Sequence, residues 1–231
     1  MTSRPTVLLT LAGLPGLVAL LAVAPDVPGV PRWLLLVQPA ILLLALAFAG
    51  SWAAPRCGFA LRAPMAPSAR LLQAGSGLLL GILVAAADHL ARSAWQAAPS
   101  MPPGIVEGWT PASALVGLLY GGVVEEVMLR WGVMSLLVLA LWRGLARRAQ
   151  NPPRWCLLAG IALAALIFAA AHLPALAHMP LDAAILARTL ILNGLAGLLF
   201  GWLFARRDLL AAILAHASAH LGFALVAVAA S

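Results

Sequence analysis

The stretch PASALVGLLYGGVVEEVMLRWGVMSLLVLALW, residues 111–142, carries three charged side chains, Glu125, Glu126 and Arg130, all near its middle. A bilayer core is crossed by about 20 consecutive apolar residues in a helix, so the run is long enough to span. Comparable runs lie on either side, at 7–24, 33–53, 71–91, 155–177, 183–205 and 209–230. Breaks rich in Pro, Arg and Asp separate them, such as PDVPGVPR at 25–32 and RGLARRAQNPPR at 143–154. Barrel strands would be about 10 residues long with strict alternation, and these runs are longer and apolar throughout. The pattern predicts an all-α, polytopic transmembrane helix bundle of about seven spans, with residues 1–231 as one membrane domain.

Composition supports the same reading. Of 231 residues, 64% are hydrophobic and 9% charged, too little polar surface for a water-facing globule and too much apolar content for a disordered chain. The 14 basic residues, all Arg, outnumber 7 acidic ones and give a net charge of +7. In a soluble protein that surplus would suggest nucleic acid, but the arginines sit in the gaps between apolar runs. No nucleic-acid partner is expected; the partner is the lipid bilayer. With the N-terminus cytoplasmic, ten arginines (4, 56, 62, 70, 143, 147, 148, 154, 206 and 207) fall inside, and Arg32, Arg92 and Arg188 fall outside. That bias predicts N-terminus in and C-terminus out. Trp33, Trp95, Trp109, Trp142, Trp155 and Trp202 lie near predicted span ends, where an indole keeps its N–H wet. The first run could be read as a signal peptide ending at Ala22-Val23-Ala24, but Pro25 directly after is a poor cleavage context. Cys57 and Cys156 are expected as free thiols. Gly75, Gly77 and Gly81, and Gly194, Gly197 and Gly201, suit close helix packing.

Ionisable groups inside the runs carry the chemistry. Each mid-bilayer charge costs about 2.5–3.5 kcal/mol on insertion scales. In an α-helix Glu126 and Arg130, four apart, share a face and can pair, whereas Glu125 lies about 100° round from Glu126. That leaves Glu125 available as a general base on water, unless all three form a buried packing network. His172 falls four residues after Phe168 and two before Pro174, a position that also suits a packing residue; Pro174 allows the kink needed to bring it towards the other groups. His216 and His220, four apart on the last run, have a familiar metal-ligand spacing and could equally stabilise an oxyanion. Asp88 and His89 could touch the site, with the interface favoured for both; Asn193 is expected to hydrogen-bond across helices, and His178 is expected to take no part in catalysis.

These segments in this order resemble the CPBP family of intramembrane proteases, which includes the type II CAAX prenyl endopeptidases and bacterial bacteriocin-processing homologues. EEVMLR matches the family's EExxxR at Glu125, Glu126 and Arg130; FAAAH matches FxxxH at Phe168 and His172. His216 opens the third motif, in which a His is followed four residues later by Asn or Asp, and here that place is taken by His220. The resemblance covers roughly residues 110–225 and implies a catalytic core there. It implies that Glu125 activates a water with help from His172, that His216 and His220 polarise the scissile carbonyl, and that Glu126 and Arg130 support the site. A glutamic-type, cofactor-free mechanism is favoured; were the protein metal-dependent, Glu125, His172, His216 and His220 would hold a divalent ion such as zinc. The expected substrate is a membrane-anchored protein or peptide, and the Ala-, Leu- and Arg-rich composition suggests the inner membrane of a bacterium. Two readings from other classes use the same groups: a transporter or proton relay, and a catalytically inactive scaffold of the same fold. The first would call for an inverted repeat with broken helices, which the sequence lacks.

Overall fold

The computed structural model describes residues 3–26, 28–92, 102–176 and 182–231. Among these no strand occurs, and the chain forms a bundle of seven helices: α1 (Ser3–Ala19), α2 (Val37–Ala53), α3 (Pro67–Leu90), α4 (residues 111–145), α5 (Arg154–Ala170), α6 (Ala183–Arg206) and α7 (Leu209–Ala229). All except α4, with short 3-10 extensions where present, are long and apolar enough by composition to cross a membrane. Many of their large apolar side chains face outward, among them Leu8, Ile41, Phe48, Leu71, Leu83, Leu166 and Leu225, as a lipid-facing surface requires. The helix starts follow from local chemistry. Pro67 and Pro111 occupy first-turn positions, where a missing N–H costs nothing. Thr110 and Ser113 form a reciprocal capping box, and Asp182 and Asp208 accept from Ile185 and Ala211 at 2.9 and 2.8 Å.

The fourth run departs from expectation. α4 is α-helical over Pro111–Val116 and Ser135–Leu145, but Gly117–Glu125 and Val127–Met134 are π-helical, with Glu126 between them. Bonding of the i→i+5 kind makes a wider turn than an α-helix, and Glu125 and Glu126 still face different ways, Glu125 into the cavity and Glu126 into the protein. Such widening is rare and concentrates at functional sites. It places the charged centre of α4 against α7, and both helices converge there with α5 and α6.

Close packing replaces hydrophobic drive in a bilayer. A Cβ at Gly77 or Gly81 would collide with the backbone of Ala215 or Ala219, so α3 and α7 touch backbone to backbone. Gly197 and Gly201 make similar but looser approaches to Ala165 and Ile161 of α5. Gly75 and Gly194, expected to share that role, have no such neighbour; they fall off the contact stripe. α1 packs on α2 and on the first π segment, making the first run an integral part of the bundle. Cys57 and Cys156 are buried free thiols. Trp33, Trp155 and Trp202 are exposed as expected of interface residues, but Trp142 is buried and donates to the Ala149 carbonyl at 3.0 Å; the turn after α4 folds back over it. Trp95 and His178 lie outside the described residues.

The hairpin turns sort the charges. One end collects the exits of α2, α4 and α6 and the starts of α1, α3, α5 and α7, joined by Leu209 N–H to Ala60 C=O at 3.0 Å and by Asp208 to Ala63 and Arg70. It holds the ten arginines named above and a single acidic residue, Asp208. The opposite end holds three arginines with Asp26, Asp88, Glu107 and Asp182.

Candidate active site

A cavity of about 340 Å³ opens where α3, α4, α6 and α7 meet the end of α5. Glu125, His172, His216 and His220 all line it. α4 supplies Glu125, and one helical step away Glu126 points into the protein, fully buried. Oε1 of Glu126 lies 2.8 Å from Nδ1 of His216, and Oε2 lies 3.2 Å from Nε of Arg130. Arg130 is equally buried, reaches the Gly197 carbonyl at 3.3 Å, and sits over the rings of Phe168 at 4.8 Å and Phe200 at 5.6 Å, where ring faces offset part of the cost of removing it from water. Breaking such a pair is more costly than forming it is gainful, so Glu126 and Arg130 hold each other in place.

Glu125 is left facing the cavity, its side chain one-fifth exposed and its Oε2 4.0 Å from Nε2 of His216. That gap is too long for a direct hydrogen bond and suits a bridging water.

The histidines differ in what holds them. His216 lies flat on Phe200, 4.4 Å between centroids at 17°, with His220 stacked on it at 5.3 Å and Phe168 edge-on. His172 sits just past the end of α5, where a 3-10 turn begins at Leu173, and its Nδ1 is 2.8 Å from the Phe168 carbonyl. A carbonyl can only accept, so Nδ1 of His172 donates and Nε2 keeps the lone pair. Nδ1 of His216 is likewise engaged, by the Glu126 carboxyl at 2.8 Å. His220 makes no hydrogen bond among the described residues; its ring rests in a notch on α4 where a Cβ at Gly117 or Gly121 would strike it.

Two expectations need correction, and two more residues belong to the cavity. Asp88 is not at the interface: it is buried, binds Arg188 through two hydrogen bonds of 2.6 and 2.7 Å, and accepts from the Ile105 N–H at 2.8 Å. Arg188, near the outer start of α6, lines the cavity. The two are 100 positions apart and nothing local in the sequence links them. His89 does keep a surface position, 2.9 Å from Glu107. Outside the spans, burial alone would raise the Glu107 carboxyl, yet a hydrogen bond from its own backbone together with the side chains of His89 and Arg92 holds it below the ordinary carboxylate range. Asn193 does not bridge helices; it donates to Thr189 one turn back in α6, at 2.9 Å, and lines the cavity. Tyr120 and Phe200 also line it; an aromatic residue within an apolar run carries no sequence signal that marks it out.

As to metal, among the described residues no group of three His, Cys, Asp or Glu side chains is arranged to surround an ion. The hydrogen bonds at Nδ1 of His216 and of His172 leave Nε2 of each ring as the nitrogen open to the cavity.

The model of the type II CAAX prenyl endopeptidase Rce1-like family matches residues 107–222, half of the chain. The chain belongs to this family. No curated protein and no solved structure matches it. The Rce1-like match runs from the loop before α4 into α7 and takes in the whole of the carboxylate and histidine cluster. Membership makes the protein a helical membrane protein of an intramembrane protease family, as the three motifs implied.

Proposed function

We propose that the protein is an intramembrane endopeptidase that hydrolyses a peptide bond of a membrane-anchored protein or peptide inside the 340 Å³ cavity, with residues 110–225 as its catalytic core. The observation that carries this is the division of labour between adjacent carboxylates: Glu126 is committed to His216 and Arg130, while Glu125 faces the cavity 4.0 Å from a free imidazole nitrogen.

A water between Glu125 Oε2 and His216 Nε2 would donate one hydrogen bond to each. As its oxygen bonds the scissile carbonyl carbon, its proton passes to Glu125. The carbonyl oxygen becomes the oxyanion, which needs a donor. Neutral His172 and His216 present lone pairs at Nε2, so the donor role falls to His220, whose tautomer no partner fixes, and Tyr120 offers a second O–H. This reassigns His216 from the oxyanion to the water. Collapse of the tetrahedral adduct breaks the C–N bond as Glu125 returns the proton to the leaving nitrogen. No step uses a metal, and the reading is of the glutamic type. The arginine-rich end faces the cytoplasm and the membrane is a bacterial inner membrane.

The test is cleavage of a panel of membrane-anchored peptides by purified protein in liposomes. Glu125→Gln is expected to lose at least about a hundredfold in kcat, and chelator is expected to leave wild-type cleavage unchanged. Full cleavage by Glu125→Gln would overturn the mechanism; chelator-sensitive cleavage with one bound metal would replace the glutamic reading with a metallo one.

A further inference from the structure

The arginine end carries a second pocket, of about 590 Å³, walled by the loop between α2 and α3, the first turn of α3 and the start of α7. Its lining divides by chemistry. It combines two arginines, Arg62 and Arg70, with the apolar side chains of Met65, Leu71 and Leu210. Arg70 is spent: it binds Asp208 at 2.6 and 2.7 Å and the Ala63 carbonyl at 2.8 Å. Asp208 is the only acid at this end, is fully buried and is balanced by Arg70, which leaves the other arginines without an acidic partner at this end. Arg62 makes no hydrogen bond or ion pair among the described residues and is exposed. Leu71 and Leu72, at the first turns of α3, are 72% and 76% exposed, as suits side chains that meet hydrocarbon near the start of a span. The pocket thus pairs an unbalanced cation with apolar side chains near the start of a span.

We infer that this pocket holds one anionic phospholipid, its phosphate on Arg62 and the upper part of an acyl chain along Leu71 and Leu210. Charge complementarity selects the occupant: ten arginines against one neutralised acid repel a cationic ligand and attract an anionic leaflet. The apolar lining selects a lipid over a free phosphate, which would leave Met65, Leu71 and Leu210 facing water. The site lies apart from the catalytic cavity, with which it shares no lining residue, so it stands whatever the reaction proves to be.

Native mass spectrometry and thermal unfolding of the full chain test it, after exchange into detergent with phosphatidylglycerol, phosphatidylcholine or inorganic phosphate. Wild type is expected to retain one phosphatidylglycerol and to unfold at higher temperature with it than with phosphatidylcholine. Arg62→Gln should weaken retention at least tenfold, while Arg147→Gln, an arginine of the same end outside the pocket, should not. Equal retention of the two lipids, equal loss in both variants, or equal protection by inorganic phosphate would each overturn the proposal. Both variants are surface substitutions, and their unfolding temperatures without lipid show that they fold.

Discussion

Nδ1 of His216 and Oε1 of Glu126 lie 2.8 Å apart in a fully buried contact between α7 and α4, which makes the carboxylate beside the proposed base the group that orients the histidine opposite it. Replacing Glu126 with Gln should cost at least about a hundredfold in kcat, because the amide no longer fixes the imidazole's tautomer, as when the buried carboxylate behind a catalytic histidine becomes an amide. It should also cost about 3–5 kcal/mol of stability by leaving Arg130 buried without its counter-charge. The double variant Glu126→Leu with Arg130→Met should recover much of that stability in thermal unfolding and none of the activity.

His220 occupies a notch made by Gly117 and Gly121. If it supplies the oxyanion donor, His220→Ala should lose about 10²–10³-fold in kcat, and His220→Asn, which keeps an N–H, should stay within about tenfold of wild type. Gly121→Ala should impair wild type, since its Cβ would lie 2.8 Å from Nε2 of His220 and 3.3 Å from Nε2 of His216, and should be milder in the His220→Asn background. Kinetics of the four variants on one peptide check this; equal loss in His220→Asn and His220→Ala would remove His220 from the mechanism.

Phe200 lies parallel to His216 at 4.4 Å, a contact worth about 0.5–1.5 kcal/mol beyond area burial. Phe200→Leu should lower kcat with KM unchanged, and Phe200→Tyr should restore it, because a second aromatic ring re-forms the stack.

The Asp88–Arg188 pair ties α3 to α6 and, through Ile105, pins the loop before α4 beside the cavity. Asp88→Ala should cost about 3–5 kcal/mol, and hydrogen exchange at residues 104–108 should accelerate more than in the cores of α2 or α7.

Asp208 gives the pH dependence a definite sign. Burial alone would raise its carboxyl, but the hydrogen bonds from Arg70, Ala63 and Ala211 outweigh it and hold the group below its ordinary range. A depressed folded pKa means that this stabilisation is complete above the unfolded value of about 3.9 and is lost as pH falls through the folded one. Asp208→Asn preserves a good N-cap and removes the charge, so unfolding temperature should fall at pH 7 and the difference from wild type should shrink on acidification.

Much of the site was legible in the chain because its parts are local: charges in apolar runs are costly, so Glu125, Glu126, Arg130, His172, His216 and His220 stood out. The spacing of Glu126 and Arg130 was enough to pair them. What the spacing could not supply was the π-helical widening of α4, which depends on packing against neighbours. Nor could it supply the partners of Asp88 and Asn193, whose polarity reads alike whether a side chain faces lipid headgroups, its own helix or a buried arginine.

The sequence by itself determined the all-helical class, the order of the apolar runs and the charge asymmetry between the two ends, since these follow from the cost of placing polar groups in hydrocarbon. Only the tertiary structure decided that Glu126 also holds His216, which nitrogen of each histidine is engaged, and which glycines touch a neighbour. Those outcomes depend on contacts between residues tens of positions apart, His216 with Glu126 and Asp88 with Arg188 among them, and helical periodicity carries no information about distances between helices.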